Sequence, residues 1–166
     1  MTTYLLDTSA VIAHYRKEPG YAQVHALFED PFATVLIGTP VLVELDAALK
    51  RGMQDERQRR AVVDAYGGRV AEVVPADREA AMAAIAMRNA SAKRLPAMDA
   101  LIAGCAVAHG AVLVHRDPHF DGIPAEHLQT LRLSETGYPT SQDVAKVAKE
   151  SGVGYATRSR TTSRRA

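Results

Sequence analysis

Tryptophan is absent from these 166 residues, and aromatic residues of any kind make up only 5% of them. A core must then be assembled from Ala, Val, Leu and Ile within an apolar content of 47%. That favours helices packed on a parallel sheet over an aromatic-rich β-sandwich. The single cysteine, Cys105, excludes an internal disulfide, and in the apolar run 101–107 it reads as a small buried hydrophobe. No run approaches the length needed to span a bilayer. The opening residues have neither the basic region nor the apolar stretch of a secretory signal, so a reducing cytoplasm is the expected setting. A surplus of one charge is missing too, the formal net charge being +1. From Ser134 onward there are six Lys/Arg against three Asp/Glu, which leaves −2 on the first 133 residues. If that body binds RNA, metal ions or a partner must offset its carboxylates.

What is present is an alternation of strand and helix signals. Apolar runs at 4–6, 33–37, 69–74 and 111–114 read as strands, and 128–133 reads as a short edge strand. Helical spacing covers 10–15, 22–28 and 39–50, the last opened by Thr39-Pro40 as a capping hydroxyl with proline in the first turn. Further helices are expected at 55–66, closed by Gly67-Gly68, at 77–93, and at 96–109 with Gly110 as the stop. The pattern implies βαβ units with right-handed crossovers. The expected fold is a three-layer α/β/α domain around a parallel sheet of four to five strands. A domain edge is placed at 133, followed by a basic Ser/Thr-rich extension, 134–166, expected to be poorly ordered.

Four acids stand out against this frame. Asp7 closes the first strand and Asp117 follows the fourth; sites in open α/β sheets form beyond the carboxyl ends of strands. Glu44 lies in the apolar stretch Pro40-Val41-Leu42-Val43-Glu44-Leu45, where an unpaired acid is costly. Asp99 sits near a helix amino end, where the backbone dipole favours negative charge. Taken singly, three have ordinary readings: Asp7 as a helix cap, Asp99 as a first-turn acid, Asp117 as a turn residue. Brought together, they would raise one another's pKa values unless a cation neutralised them. An all-oxygen set suits Mg²⁺ or Mn²⁺ and fits zinc poorly. Such a site binds phosphate, activates water and stabilises the charge of phosphodiester cleavage. Asp46, two positions from Glu44, points to another face and reads as solvated. Arg57, Arg59 and Arg60 read as a solvated charge run.

At these residues the sequence resembles the PIN-domain family and, within it, the VapC-type toxins. The pieces are Leu5-Leu6-Asp7-Thr8-Ser9, Val43-Glu44-Leu45, Asp99-Ala100-Leu101-Ile102-Ala103 and Arg116-Asp117-Pro118-His119-Phe120, in the family's order over residues 1–133. The resemblance implies Asp7, Glu44, Asp99 and Asp117 as metal-site acids, with Thr8 or Ser9 supplying a supporting hydroxyl. It also implies Mg²⁺- or Mn²⁺-dependent cleavage of RNA, a homodimer, and inhibition by a cognate VapB-like antitoxin. Two departures are visible. His115 stands where many relatives have a small hydroxyl residue, and His119 where many have a further acid. For His115, a general-acid or phosphate-contacting role is considered. Asp121 is a candidate replacement for the missing acid, though it reads more simply as a loop residue. His115-x-Asp117-x-His119 as a softer-metal site is set against three hard oxygen donors elsewhere.

In the extension, residues 147–160 look like the helix-turn-helix of lac-repressor-type proteins, with Ala148 and Gly152 in the expected places. Arg158, however, falls where an apolar residue is needed, and no third helix follows to complete the unit. Arg158 and Arg160, with Arg116 in the body, are instead candidates for sequence-independent contact with RNA phosphates. Rival chemistries lack their marks. A phosphatase of the paired-aspartate kind needs an acid where Ser9 stands, and a dinucleotide-binding domain needs a glycine-rich turn after the first strand. A receiver-type phosphotransfer domain needs a further acidic pair and a late lysine. A catalytically idle RNA-binding or regulatory module on the same fold remains the alternative, and after it a metal-dependent phosphatase.

Overall fold

The computed structural model describes residues 1–134. Arg158, Arg160 and the 147–160 stretch lie outside the described residues. Five strands form one wholly parallel sheet: β1 (Thr2–Leu6), β2 (Ala33–Gly38), β3 (Glu72–Val74), β4 (Val112–His115) and β5 (Thr130–Arg132). Their spatial order is β3-β2-β1-β4-β5. The chain steps outward from β1 to β2 to β3, then returns over the sheet to lay β4 on the other side of β1. That reversal makes β1/β4 the switch point, where a crevice opens beyond the strand ends.

Helices α1 (Thr8–Arg16), α2 (Tyr21–Glu29), α3 (Thr39–Lys50) and α4 (Glu56–Arg69) lie on the outward connections. The return carries α5 (Arg78–Ala90) and α6 (Ala97–Ala108). Right-handed crossovers put the two groups on opposite faces of the sheet. β1 is the central strand, and its Leu5 and Leu6, which point to opposite faces, are both fully buried. α6 is apolar nearly all round because it is a core helix: Ala100, Ile102, Ala103, Cys105 and Ala106 are all buried. Cys105 is the small buried residue expected, its thiol pushed up to about 11 by burial.

Three local expectations are corrected. α4 does not stop at Gly67-Gly68 but continues to Arg69, and β3 begins only at Glu72. Both glycines keep negative φ, so nothing in the backbone forces a break there. The cap of α3 is Gly38, with no side-chain bond; the Thr39 hydroxyl accepts instead from the Ala76 amide, 3.1 Å away, tying α3 to the loop after β3. Arg59 is not a solvated charge but 6% exposed. Its Nε donates to Asp46 Oδ1 at 2.9 Å, and a terminal nitrogen donates to the carbonyls of Met53 and Gln54. Asp46 keeps a side chain 45% exposed, as a solvated reading expects, and is also the partner of this buried guanidinium, whose charge would be costly to bury unpaired.

Candidate active site

Asp7 ends β1, and its amide still bonds to the Val114 carbonyl of β4 at 2.9 Å. Its side chain turns to cap α1, accepting from the Ser9 amide at 2.9 Å and the Ser9 hydroxyl at 2.6 Å. The helix-cap reading of Asp7 holds, and the same carboxyl lines the cleft described below. Asp7 as a whole is 3% exposed, and its pKa is pushed up to about 7. Burial is the main cause, aided by the charges of Asp99 and Glu44 and opposed by the two Ser9 hydrogen bonds. Ser9 Oγ also accepts from the Arg116 amide at 2.9 Å. One hydroxyl thus fastens the end of β1 to the segment after β4.

Glu44 projects from the second turn of α3, and its Oε2 accepts from Thr8 Oγ1 at 2.8 Å. Thr8 and Ser9 each donate to a different acid, Thr8 to Glu44 and Ser9 to Asp7. Asp99 is in the first turn of α6, with its side chain 13% exposed. Burial raises its pKa, with Glu44 and Asp117 adding repulsion and His119 offsetting part of it. Asp117 caps a short 3-10 helix, Pro118–Gly122, accepting from the His119 amide at 2.9 Å.

These four acids, from four separate stretches, line one open cleft of about 450 Å³. Its rim carries Arg16, Arg51 and Arg116. Arg116 is held by Glu18 Oε2 at 2.5 Å and by the Pro19 carbonyl at 3.3 Å. Glu18 lines the cleft too and pairs with both Arg16 and Arg116, leaving Arg51 without that partner; acids and arginines together make a cleft able to hold a cation and a phosphate.

The two histidines part company. His115 is 1% exposed and does not line the cleft. Its Nδ1 lies 2.9 Å from the Asp117 carbonyl, which can only accept, so Nδ1 carries the proton. The ring packs edge-on against Phe120, and burial lowers its pKa. The structure therefore places it behind the Asp117 loop, away from where a phosphate contact was considered. His119 is not in the cleft lining either, but it is half exposed and its Nδ1 lies 2.9 Å from Asp99 Oδ2 and 3.1 Å from Asp117 Oδ1. Asp121 lies in the short 3-10 helix, outside the cleft lining, and pairs with Arg132.

Sequence reasoning did not find Arg16, Arg51 or the meeting of His119 with Asp99. For the arginines no local signal exists, since only the packing of α1 against α3 brings them to one rim. For His119, the signal was its place two residues after Asp117.

A PIN-domain family profile matches residues 4–126. The chain belongs to the PIN-domain family. Its fold is similar to a chain of the VapBC2 complex of Rickettsia felis bound to a promoter DNA fragment. That match has 22% identity and a TM-score of 0.65, covering 80% of this chain and 100% of the other. A DNA-bound VapBC complex from Salmonella typhimurium gives 25% identity and a TM-score of 0.62, covering 80% and 98%. VapBC-5 of Mycobacterium tuberculosis, described as a member of the VapBC family of toxin–antitoxin systems, gives 22% and 0.60, covering 80% and 100%. Comparison with curated protein sequences finds no match. Among PIN domains, then, this chain has the fold of components of toxin–antitoxin complexes.

Proposed function

We propose that this PIN domain is a metal-dependent endoribonuclease, the toxin of a VapBC-like type II pair, acting in the cytoplasm. The observation that carries the reading is Asp7. A carboxyl buried this deeply, beside two further acids, is unfavourable as an anion unless a cation shares the site. The donor set suits that cation: Asp7, Glu44, Asp99 and Asp117 would hold Mg²⁺ or Mn²⁺ through oxygen. When bound, the ion supplies charge for the scissile phosphate and lowers the pKa of a water.

The chain's own residues do the rest. Ser9 fixes Asp7 Oδ2 and Thr8 fixes Glu44 Oε2, so both carboxylates are oriented before any ligand arrives. His115 holds the Asp117 loop by its carbonyl. The arginines of the rim draw the RNA backbone to the cleft and neutralise phosphates either side of the cut. The cleft's two hydroxyls, Thr8 and Ser9, serve as donors to Glu44 and Asp7, and in this reading water is the attacking group.

A VapB-like antitoxin as partner is supported by the neighbours, which are components of VapBC assemblies. A homodimer is part of the same reading. No helix among the described residues is long and apolar enough to cross a membrane.

The test is cleavage of RNA with Mg²⁺ or Mn²⁺, with and without chelator, for the wild type and Asp7→Asn. The expected result is cutting that stops with chelator and falls about a thousandfold or more in Asp7→Asn, the scale of losing a principal catalytic group. A binding or regulatory module would cut nothing under any condition. A phosphatase would free phosphate from small esters and leave RNA intact.

A further inference from the structure

Beside two of the cleft's acids, though not itself among the residues lining the cleft, stands a nitrogen donor that the four acids do not predict. His119 is half exposed, and its Nδ1 faces two carboxylates that belong to different elements, Asp99 on α6 and Asp117 after β4. One ligand atom from each of the three residues lies within 4.8 Å of the others. The two nitrogen–oxygen spacings, 2.9 and 3.1 Å, match the distance of about 3 Å between neighbouring donors on an octahedral ion with bonds of about 2.1 Å. The other imidazole of the H-x-D-x-H stretch, His115, is 1% exposed and lies outside the cleft lining. His119 alone remains to ligate.

We propose that His119 Nδ1 is a metal ligand, and that with Asp99 and Asp117 it gives this site a mixed nitrogen–oxygen face selective for Mn²⁺ or Co²⁺ over Mg²⁺. The proposal rests on the reading that the cleft holds a divalent ion. The physical ground is donor softness. Mg²⁺ takes oxygen ligands and gains little from imidazole, whereas first-row divalent ions bind imidazole increasingly well along the series from manganese to copper. The rival role for His119 is a plain hydrogen bond bridging two acids. The two roles predict opposite signs. A ligand removed weakens the ion; a hydrogen bond removed frees the carboxylates and strengthens it.

Full-length protein loaded with Mn²⁺ is examined by pulsed electron paramagnetic resonance, unlabelled and with ¹⁵N-histidine. Mn²⁺ and Mg²⁺ affinities are measured by calorimetry for the wild type, His119→Ala and His119→Asp. The expected results are nitrogen modulation that changes with the label and vanishes in both variants, and Mn²⁺ binding about tenfold weaker in His119→Ala. The preference for Mn²⁺ over Mg²⁺ should narrow by about tenfold in His119→Asp, whose donors are all oxygen. Bound Mn²⁺ without nitrogen modulation, or tighter Mn²⁺ binding by His119→Ala, overturns the His119 proposal and leaves the metal-nuclease reading standing. Failure of the wild type to bind any divalent ion overturns both.

Discussion

Asp7 does two jobs that conflict, capping α1 and lying buried beside Asp99 and Glu44. The cap was legible because an acid directly before a helical pattern is a cap signal. The site was legible because acids recur at strand ends. Their tension shows only in three dimensions. Without metal, Asp7 has a folded-state pKa near 7 against 3.8 as a model carboxyl. The folded state therefore binds the proton more tightly, and its stability falls as pH rises from about 4 through 7. His14 acts in the opposite sense. Burial, with Arg69 and His25 nearby, lowers its pKa to about 4, so its contribution rises with pH between about 4 and 6.5. Comparing Asp7→Asn with the wild type cancels the His14 term. In chelator, the variant should gain in melting temperature relative to the wild type between pH 5 and pH 8; a difference flat in pH contradicts the account. Arg59 marks the limit of reading single residues. In a run of arginines nothing local says which one meets Asp46 and two carbonyls in the interior.

At the scale of elements, the order of strands and helices was legible because periodicity and Pro/Gly punctuation act locally. Glycine was less so, since its meaning depends on the neighbour. Gly104 in α6 is a contact glycine: a Cβ there would lie 2.1 Å from the Ala80 carbonyl oxygen of α5. Gly68 in α4 has nothing within 4 Å. Alanine is favoured over glycine by about 1 kcal/mol within a helix. Gly68→Ala should therefore stabilise the protein by a few tenths to about 1 kcal/mol. Gly104→Ala meets backbone that cannot turn aside, and should destabilise by about 1–3 kcal/mol, the usual cost of overpacking. Urea denaturation of the two variants checks the pair; equal signs would contradict the packing described.

For the molecule as a whole, the switch point between β1 and β4 decides where chemistry can occur. That acids beyond strand ends could share a cleft was inferable from the βαβ pattern; that the chain returns to place β4 beside β1 was not. The body's charge of −2 over residues 1–133 makes the arginine rim the chief positive feature of the cleft. Arg51→Ala should weaken RNA binding much alike across sequences. It should also reduce the salt slope by about 0.7, the value for one phosphate contact on a single strand. Binding measured over a salt series reads both, and an unchanged slope would remove Arg51 from the RNA path. The most direct test of the central claim is an anomalous difference map from crystals soaked in Mn²⁺. The account predicts a peak inside the cleft, about 2.2 Å from carboxylate oxygens of Asp7 and Asp99. An empty cleft, or a peak touching none of Asp7, Glu44, Asp99 and Asp117, would contradict it.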